Sequence, residues 1–278
     1  MKTIPASDVV QAVARMCVSA NTVLPADVRR ALESACERES SPAGREVLDQ
    51  LLENADLAAD ARLPLCQDTG LAVFYVQMGE DCRVEGGLNA AINQGVRQGY
   101  HEGYLRKSAC DPLTRKNTGD NTPAIIHTDL VPGDGLKIAF MAKGGGSENM
   151  SRVTMLAPSQ GLEGIKRFVV NRVAEAGPNP CPPIVLGIGI GGTFELAPRL
   201  AKRALLRPLD DTNPDPRLAE LENEILEMVN SLGIGPMGLG GDTTCLGVKI
   251  ALAPCHIASL PLAVNVQCHS ARHLEVEF

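Results

Sequence analysis

The spacing of apolar residues changes near residue 60, and this change constrains the fold more than any other feature of the sequence. Before that point apolar residues recur every three or four positions, which is typical of helices that bury one face. Beyond it the chain has short apolar runs separated by glycine and proline, which are typical of buried strands. The apolar residues with helical spacing are Val9, Val10, Val13, Val28, Leu32, Val47, Leu51 and Leu52.

The part of the chain after residue 60 is predicted to be a mixed sheet flanked by helices. Strands are expected at 71–78, 124–130, 136–143, 183–190, 248–253 and 260–268, and helices at 87–104, 161–176, 195–206 and after Asp215, a good helix N-cap. The turn sequence PGDG at 132–135 predicts that the strands on either side of it pair with each other. We therefore predict an α/β (mixed α+β) fold, with a helical N-terminal segment at 1–60 and one continuous α/β body at 61–278.

Composition excludes several classes of protein. The 278 residues carry a formal net charge of -7, which is unfavourable for binding nucleic acid. We expect no signal peptide, no apolar run of transmembrane length and a cytoplasmic location. Nine cysteines, an odd number, argue against a disulfide framework in a chain of this size. The cysteines are then core residues, metal ligands or reactive thiols.

Three cysteines lie where a loop meets a predicted strand. Cys66 begins the sequence CQDTG, Cys181 precedes a strand within PCPP, and Cys268 ends a strand. Junctions of this kind can converge at one rim of a sheet. None of the three belongs to a CxxC pair, so the short-range pattern of zinc and redox sites is missing. From spacing alone, packing in the core is the commoner role for such cysteines.

Two glycine-rich segments and a few polar residues are further candidates. KGGGS at 143–147 and GIGIGGT at 187–193 suit anions through backbone N–H groups, although neither has P-loop spacing and the second matches GxGxxG only loosely. Tight turns and close packing explain these glycines equally well. Arg106 and Lys143 are candidates for holding a carboxylate, and His256 and His269 for carrying a proton. NTGDNTP at 117–123 is either structural or part of a pocket wall.

Taken together and in order, seven motifs resemble the α subunit of iron–sulfur hydro-lyases, the family of class I fumarate hydratase and L(+)-tartrate dehydratase. The resemblance extends over most of the chain from about residue 60. Homologous single-chain fumarases run on into a second domain, whereas this sequence stops ten residues after Cys268, so it resembles the α half of a two-subunit enzyme. The motifs are CQDTG at 66–70, LRKS at 105–108, NTGDNTPA at 117–124, AKGGGS at 142–147, CPP at 181–183, GGT at 191–193 and QC at 267–268.

The resemblance implies a [4Fe–4S] cluster that has three cysteine ligands and one iron open to substrate. The implied ligands are Cys66, Cys181 and Cys268. Cys245 and Cys255 lie near Cys268 in sequence and compete with it for the third place. Cys255 stands where the family usually has arginine, and this departure concerns a possible basic contact, not the cluster.

The resemblance also implies roles for five residues around the open iron. Asp68 is the candidate for proton transfer, and Gln67 follows a ligand directly and should lie near the substrate. Arg106 and the backbone of Gly145 and Gly146 are implied to bind substrate carboxylates. The remaining catalytic groups are expected on a β subunit, so the chain alone should be inactive.

The implied activity is reversible hydration of a four-carbon dicarboxylate. We expect fumarate and (S)-malate as the reactants, with dehydration of L(+)-tartrate to oxaloacetate as the alternative, in an α2β2 heterotetramer. Two hypotheses outside the family also remain at this point. One is a non-catalytic anion-binding module built on the glycine loops, and the other is a zinc or redox-thiol protein that uses the same cysteines.

Overall fold

Two four-stranded mixed sheets organise the chain, and each belongs to a separate unit. The structure is a computed structural model that describes all residues, Met1–Phe278. The first unit comprises Met1–Pro25, Ala55–Gly145 and Arg272–Phe278, and the second comprises Ala26–Asn54 and Gly146–Ala271. The mixed α/β fold class predicted from the sequence is confirmed.

The elements of the first unit are β1 (Lys2–Ile4), α1 (Ala6–Thr22), β2 (Leu71–Gly79), β3 (Cys82–Val84), α4 (Leu88–Glu102), β4 (Ile125–Val131), β5 (Leu136–Lys143) and β10 (His273–Glu277). The last residues of helix α3 (Pro42–Ala61) also belong to it. Its sheet has the strand order β10-β5-β2-β4, and β1 and β3 form a small parallel pair.

Strand β2 lies in the interior of this sheet, and most of its apolar side chains are buried. It pairs with β4 in parallel and with β5 in antiparallel fashion. Phe74 of β2 lies opposite Phe140 of β5, with ring centroids 5.2 Å apart. The predicted pairing of β4 with β5 is therefore wrong. The PGDG turn does reverse the chain, but β2 lies between the two strands, and the Gly79 N–H donates to the carbonyl of Gly135 in that turn.

Helices α1 and α4 pack closely on each other, and two glycines make this possible. A side chain at Gly95 of α4 would place its Cβ 2.6 Å from the Cβ of Val13, and one at Gly99 would lie 2.7 Å from the Ala14 carbonyl oxygen. Glycine normally disfavours a helix interior. Here it allows two helix backbones to approach each other over the apolar face of the sheet, where the core of this unit lies.

The elements of the second unit are α2 (Ala26–Arg38), most of α3, α5 (Gly145–Asn149), β6 (Arg152–Leu156), α6 (Gly161–Ala176), β7 (Ile184–Gly191), α7 (Leu196–Ala204), α8 (Pro216–Asn230), β8 (Cys245–Ala253) and β9 (Leu260–Gln267). Its sheet has the strand order β6-β9-β7-β8. Helices α6 and α8 contribute to the core on one face of this sheet, and α7 packs on the other.

The glycines of β7 lie on the face that α7 covers. A Cβ at Gly187 would lie 2.0 Å from the Ala201 carbonyl oxygen, and one at Gly189 would lie 2.1 Å from that of Ala197. The alternate residues of β7 are isoleucine and leucine and belong to the core on the opposite face. The GxGxxG-like spacing is thus explained by packing of a helix backbone on a strand.

The two units do not follow the predicted division at residue 60. Helix α1 packs on α4 and β5 in the first unit, whereas α2 packs on β8 in the second. Helical periodicity shows that these segments are amphipathic, but it contains no information about which sheet each helix covers. The helical N-terminal segment is therefore shared between the units, and its residues do not form a domain of their own.

One N-terminal stretch is apolar enough, by length and composition, to cross a membrane. It lies within Ala6–Arg38 and has a mean hydropathy of 1.2 over 18 residues. This differs from the expectation that the chain has no such run. The range Ala6–Arg38 comprises helices α1 and α2, and 56% of the window is buried inside the protein, which is typical of core helices.

Candidate active site

The CQDTG segment is a loop between α3 and β2, and its second half is held by buried side chains of the first unit. The Thr69 hydroxyl donates to the Arg106 carbonyl oxygen at 2.8 Å. The Tyr100 hydroxyl donates to the carbonyl oxygens of Thr69 and Gly70, at 2.8 and 3.1 Å. Burial raises the pKa of Tyr100, so this hydroxyl remains a donor. The first half of the loop is free of this packing, and Cys66 is exposed.

Asp68 joins this loop to the glycine-rich segment. Its Oδ1 accepts the N–H of Gly70 at 3.0 Å, and its Oδ2 accepts the N–H of Gly145 at 2.7 Å. The structure thus brings the predicted proton carrier and one predicted carboxylate-binding residue into direct contact. It also shows that the Gly145 N–H, expected to bind a substrate carboxylate, donates to a carboxylate of the protein itself.

Asn121, which the sequence left as either structural or part of a pocket wall, is structural and central to this region. Its side chain is buried and its Nδ2 donates to the Gly70 carbonyl oxygen at 3.1 Å. Its Oδ1 accepts the N–H groups of Ser108 and Ala109 at 2.7 and 3.0 Å. The NTGDNTP segment therefore connects the loop that bears Arg106 to the CQDTG loop. Arg106 itself is exposed, as expected of a residue that binds a small anion.

Cys181 and Cys268 lie at the same end of the sheet in the second unit. Cys181 precedes β7 and Cys268 follows β9, and these strands are antiparallel with Val185 opposite Gln267. His269 Nδ1 is 3.2 Å from the Cys181 carbonyl oxygen. The predicted convergence of loop–strand junctions therefore holds for this pair.

Gly146 lies near the same end of this sheet. A Cβ on Gly146 would be 3.3 Å from the carbonyl oxygen of Asn179, two residues before Cys181. The second unit therefore brings one predicted carboxylate-binding residue close to the segment that leads into a predicted ligand. Cys66, Gln67, Asp68, Arg106 and Gly145 all belong to the first unit.

Position and burial distinguish the three neighbouring cysteines. Cys255 follows β8, which runs parallel to β7, and so it lies at the opposite end of the sheet from Cys181. Cys245 is 2% exposed, and burial raises the pKa of its thiol to about 12. Of the three cysteines, only Cys268 is both partly exposed and at the same end of the sheet as Cys181.

Free cysteine thiols are the donors that an iron–sulfur cluster takes from a protein. No group of three or more His, Cys, Asp or Glu side chains is close enough to hold one ion. A cubane does not require this, since each of its thiolates binds a separate iron. All nine cysteines are free thiols, and Cys66 and Cys181 are exposed. Next to Cys268, the buried amide of Gln267 has no hydrogen-bond partner within the chain, which is uncommon for a buried polar group.

Comparison with known proteins gives the same family as the motifs. The family model for fumarate hydratase (Fumerase) matches residues 10–277. A relative from Methanocaldococcus jannaschii, provisionally named L(+)-tartrate dehydratase subunit alpha, is 45% identical over 256 residues, 90% of each chain. Relatives named L(+)-tartrate dehydratase subunit alpha from Escherichia coli strains UTI89 and K12 are 34% and 33% identical over 264 residues, which cover 94% of this chain and 87% of theirs. The chain therefore belongs to the fumarate hydratase (Fumerase) family, as the seven ordered motifs predicted.

Proposed function

We propose that this chain is the α subunit of a two-subunit hydro-lyase that adds water to, or removes it from, a four-carbon dicarboxylate. The observation that carries the proposal is the placement of Cys181 and Cys268 at one end of a sheet, with Cys255 at the other end. The family match and the words "subunit alpha" in the relatives' names support it.

Cys66, Cys181 and Cys268 would hold a [4Fe–4S] cluster. When bound, such a cluster supplies a Lewis acid that polarises the substrate's C–OH bond. Asp68 would take the proton from the adjacent carbon, because it follows a ligand by two positions and its carboxylate is held by two N–H groups. Arg106, with its charged and exposed side chain, would bind a substrate carboxylate together with Gln67 and the Gly146 backbone. Gly145, also predicted to bind a substrate carboxylate, donates its N–H to Asp68 and would orient that carboxylate.

The substrate is the finer part of the proposal. Fumarate and L(+)-tartrate both present two carboxylates, which the same groups would bind. The names of the relatives favour L(+)-tartrate over the initial expectation of fumarate. We therefore propose dehydration of L(+)-tartrate as the first activity to assay and hydration of fumarate as the second.

An anaerobic preparation with the β subunit tests the proposal. The chain and its β partner are purified together, reconstituted with iron and sulfide, and assayed on L(+)-tartrate, fumarate and (S)-malate. We expect about four irons and four sulfides per α chain, in line with a cubane cluster, and turnover of at least one substrate. A colourless preparation that takes up no iron would refute the cluster. Stoichiometric zinc would instead support the zinc-site hypothesis.

A further inference from the structure

We propose that Arg272 is the positioning residue for Asp68, a role that rests on the proposed function of Asp68 in proton transfer. Arg272 is the largest of the fully buried side chains, with 1% of its surface exposed. A buried guanidinium is costly unless hydrogen bonds compensate for lost hydration. Its contacts therefore indicate what the protein uses it for.

The guanidinium joins two points of the first unit that are far apart in sequence. Nη1 donates to Asn21 Oδ1 at 3.0 Å and to the backbone carbonyl oxygen of Asp68 at 2.6 Å. Asn21 is itself fully buried, and its Nδ2 donates to the Cys17 carbonyl oxygen at 2.8 Å, so its oxygen is directed to the arginine. The backbone of Asp68 is thus tied to helix α1 through a rigid side-chain bridge.

The main chain of Arg272 is also held in place. The Ala142 N–H donates to the Arg272 carbonyl oxygen at 3.1 Å, and β10 begins its pairing with β5 at the next residue. The guanidinium therefore extends from the start of a sheet strand, which is a more rigid support than a loop.

The guanidinium, the Asp68 carboxylate and the glycine segment pack against one another. A Cβ on Gly144 would lie 3.2 Å from Asp68 Oδ2 and 3.4 Å from Arg272 Nη2. The adjacent Gly145 N–H binds the same Oδ2. Arg272 consequently holds the main chain of Asp68 while the glycine segment holds its carboxylate, and together they determine the direction in which the carboxylate points.

Such a residue should affect the reaction step more than substrate binding. A general base must lie within hydrogen-bond reach of the proton it removes, and a misplacement of about 1 Å can cost about 100-fold in rate. Arg272 is 1% exposed, so it does not contact the substrate itself.

The first test needs neither cluster nor substrate. Solvent exchange of the Gly70 and Gly145 amides is measured by NMR in the full chain and in Arg272→Gln, Arg272→Lys and the control Arg172→Gln. Arg172, like Arg272, is a buried arginine whose Nε has no hydrogen-bond partner, but it belongs to the second unit. We expect both amides to exchange at least about tenfold faster in Arg272→Gln, partial restoration in Arg272→Lys, and no change in Arg172→Gln. Unchanged exchange in Arg272→Gln would overturn the proposal.

The second test uses the reconstituted α–β pair. For Arg272→Lys we expect kcat to fall about 10- to 100-fold with KM within about threefold of the wild type, and a larger isotope effect for substrate deuterated at the carbon that loses the proton. Arg172→Gln should lower the melting temperature and leave kcat and the isotope effect unchanged. A loss confined to KM would contradict the positioning role. If the wild-type pair turns over no substrate, the proposed function fails, and the amide exchange still decides whether Arg272 positions Asp68.

Discussion

At the scale of single residues, the strand that a cysteine follows decides which other cysteines lie at the same end of the sheet. Cys255 is exposed, Cys268 is partly exposed, and the two lie thirteen positions apart in the sequence. Cys255 follows β8 and Cys268 follows β9. These two strands end at opposite ends of the sheet because β8 is parallel to β7 and β9 is antiparallel to it. Proximity in sequence therefore says little about which cysteine can share a ligand set with Cys181.

This difference gives a matched pair of substitutions. In the anaerobically reconstituted α–β pair, we expect Cys268→Ser to lose most of its cluster iron and at least about 100-fold in activity, because a hydroxyl is a much poorer iron ligand than a thiolate. Cys255→Ser should retain both. Iron and sulfide analysis with visible absorbance provides the measurement. Equal iron content in the two variants would show that the ligand assignment is wrong.

Glu39 is a second residue whose role the sequence does not reveal. Its side chain is fully buried and accepts the N–H groups of Ser41 and Asp242 at 3.1 and 2.8 Å and that of Thr243 at 2.9 Å. Burial acts to raise the pKa of Glu39, but these hydrogen bonds outweigh it, so the pKa lies below its ordinary value. The glutamate thus stabilises the loop that follows α8.

The lowered pKa determines the pH dependence. The stabilisation is present above the pKa of an unfolded glutamate, about 4.3, and is lost as pH falls through the lower folded value. We expect Glu39→Gln to reduce the free energy of unfolding at pH 7 by about 1–3 kcal/mol, with a smaller difference from the wild type below about pH 4. Urea denaturation at the two pH values measures this. A difference that grows as the pH falls would contradict the assignment.

At the scale of elements, glycines set how closely helices and strands approach. The strand β7 combines isoleucine and leucine on one face with Gly187 and Gly189 on the other. Because a strand alternates its faces, a run that looks uniformly apolar and glycine-rich in sequence is in fact two different surfaces. The glycine surface receives the backbone of α7, and the interaction is one of steric fit, with no anion required.

Substitution of one such glycine tests this explanation. In Gly187→Ala the new methyl group would lie 2.0 Å from the Ala201 carbonyl oxygen, so α7 or β7 must shift. We expect a loss of about 1–3 kcal/mol in the free energy of unfolding. The control is Gly135→Ala, where a Cβ meets nothing within 4 Å. Chemical denaturation of both variants gives the comparison. Equal stability would mean that the helix does not pack on the strand as described.

At the scale of the whole molecule, the residues named in the proposal are found in both units of the chain. The first holds Cys66, Asp68 and Arg106, and the second holds Cys181 and Cys268. The family resemblance implies that further catalytic groups belong to a β subunit. The relatives' names, which carry the words "subunit alpha", agree with a protein that works together with another chain.

This organisation predicts a strict dependence on the partner. After anaerobic reconstitution, we expect the α chain alone to show no turnover of L(+)-tartrate or fumarate, and the α–β pair to be active. Light scattering coupled to size-exclusion chromatography should give the mass of an α2β2 assembly for the active species. Full activity of the α chain alone would contradict the proposed division of the active site between two subunits.

Sequence patterns predicted the strands at residues 71–78 and 183–190 and the helix after Asp215, because each shows its period or its cap locally. The structure has them as β2, β7 and α8, with Asp215 Oδ1 accepting the Arg217 N–H at 3.0 Å. The short strands β1, β3, β6 and β10 were not predicted. With three to five residues each, they are too short to show a pattern, and they exist because a longer strand or another short strand pairs with them.

What the sequence determined by itself was the family, through seven ordered motifs, and the class of fold, through local periodicity. Those properties depend on residues that are neighbours in the chain. The tertiary structure alone decided that β2 separates β4 from β5 and that Asp68 contacts Gly145 and Arg272. It also decided that Cys268, and not Cys255, lies at the same end of the sheet as Cys181. Each of these depends on strand order and on contacts between residues up to 204 positions apart. Such contacts are set by which buried surfaces fit together, and no local pattern records them.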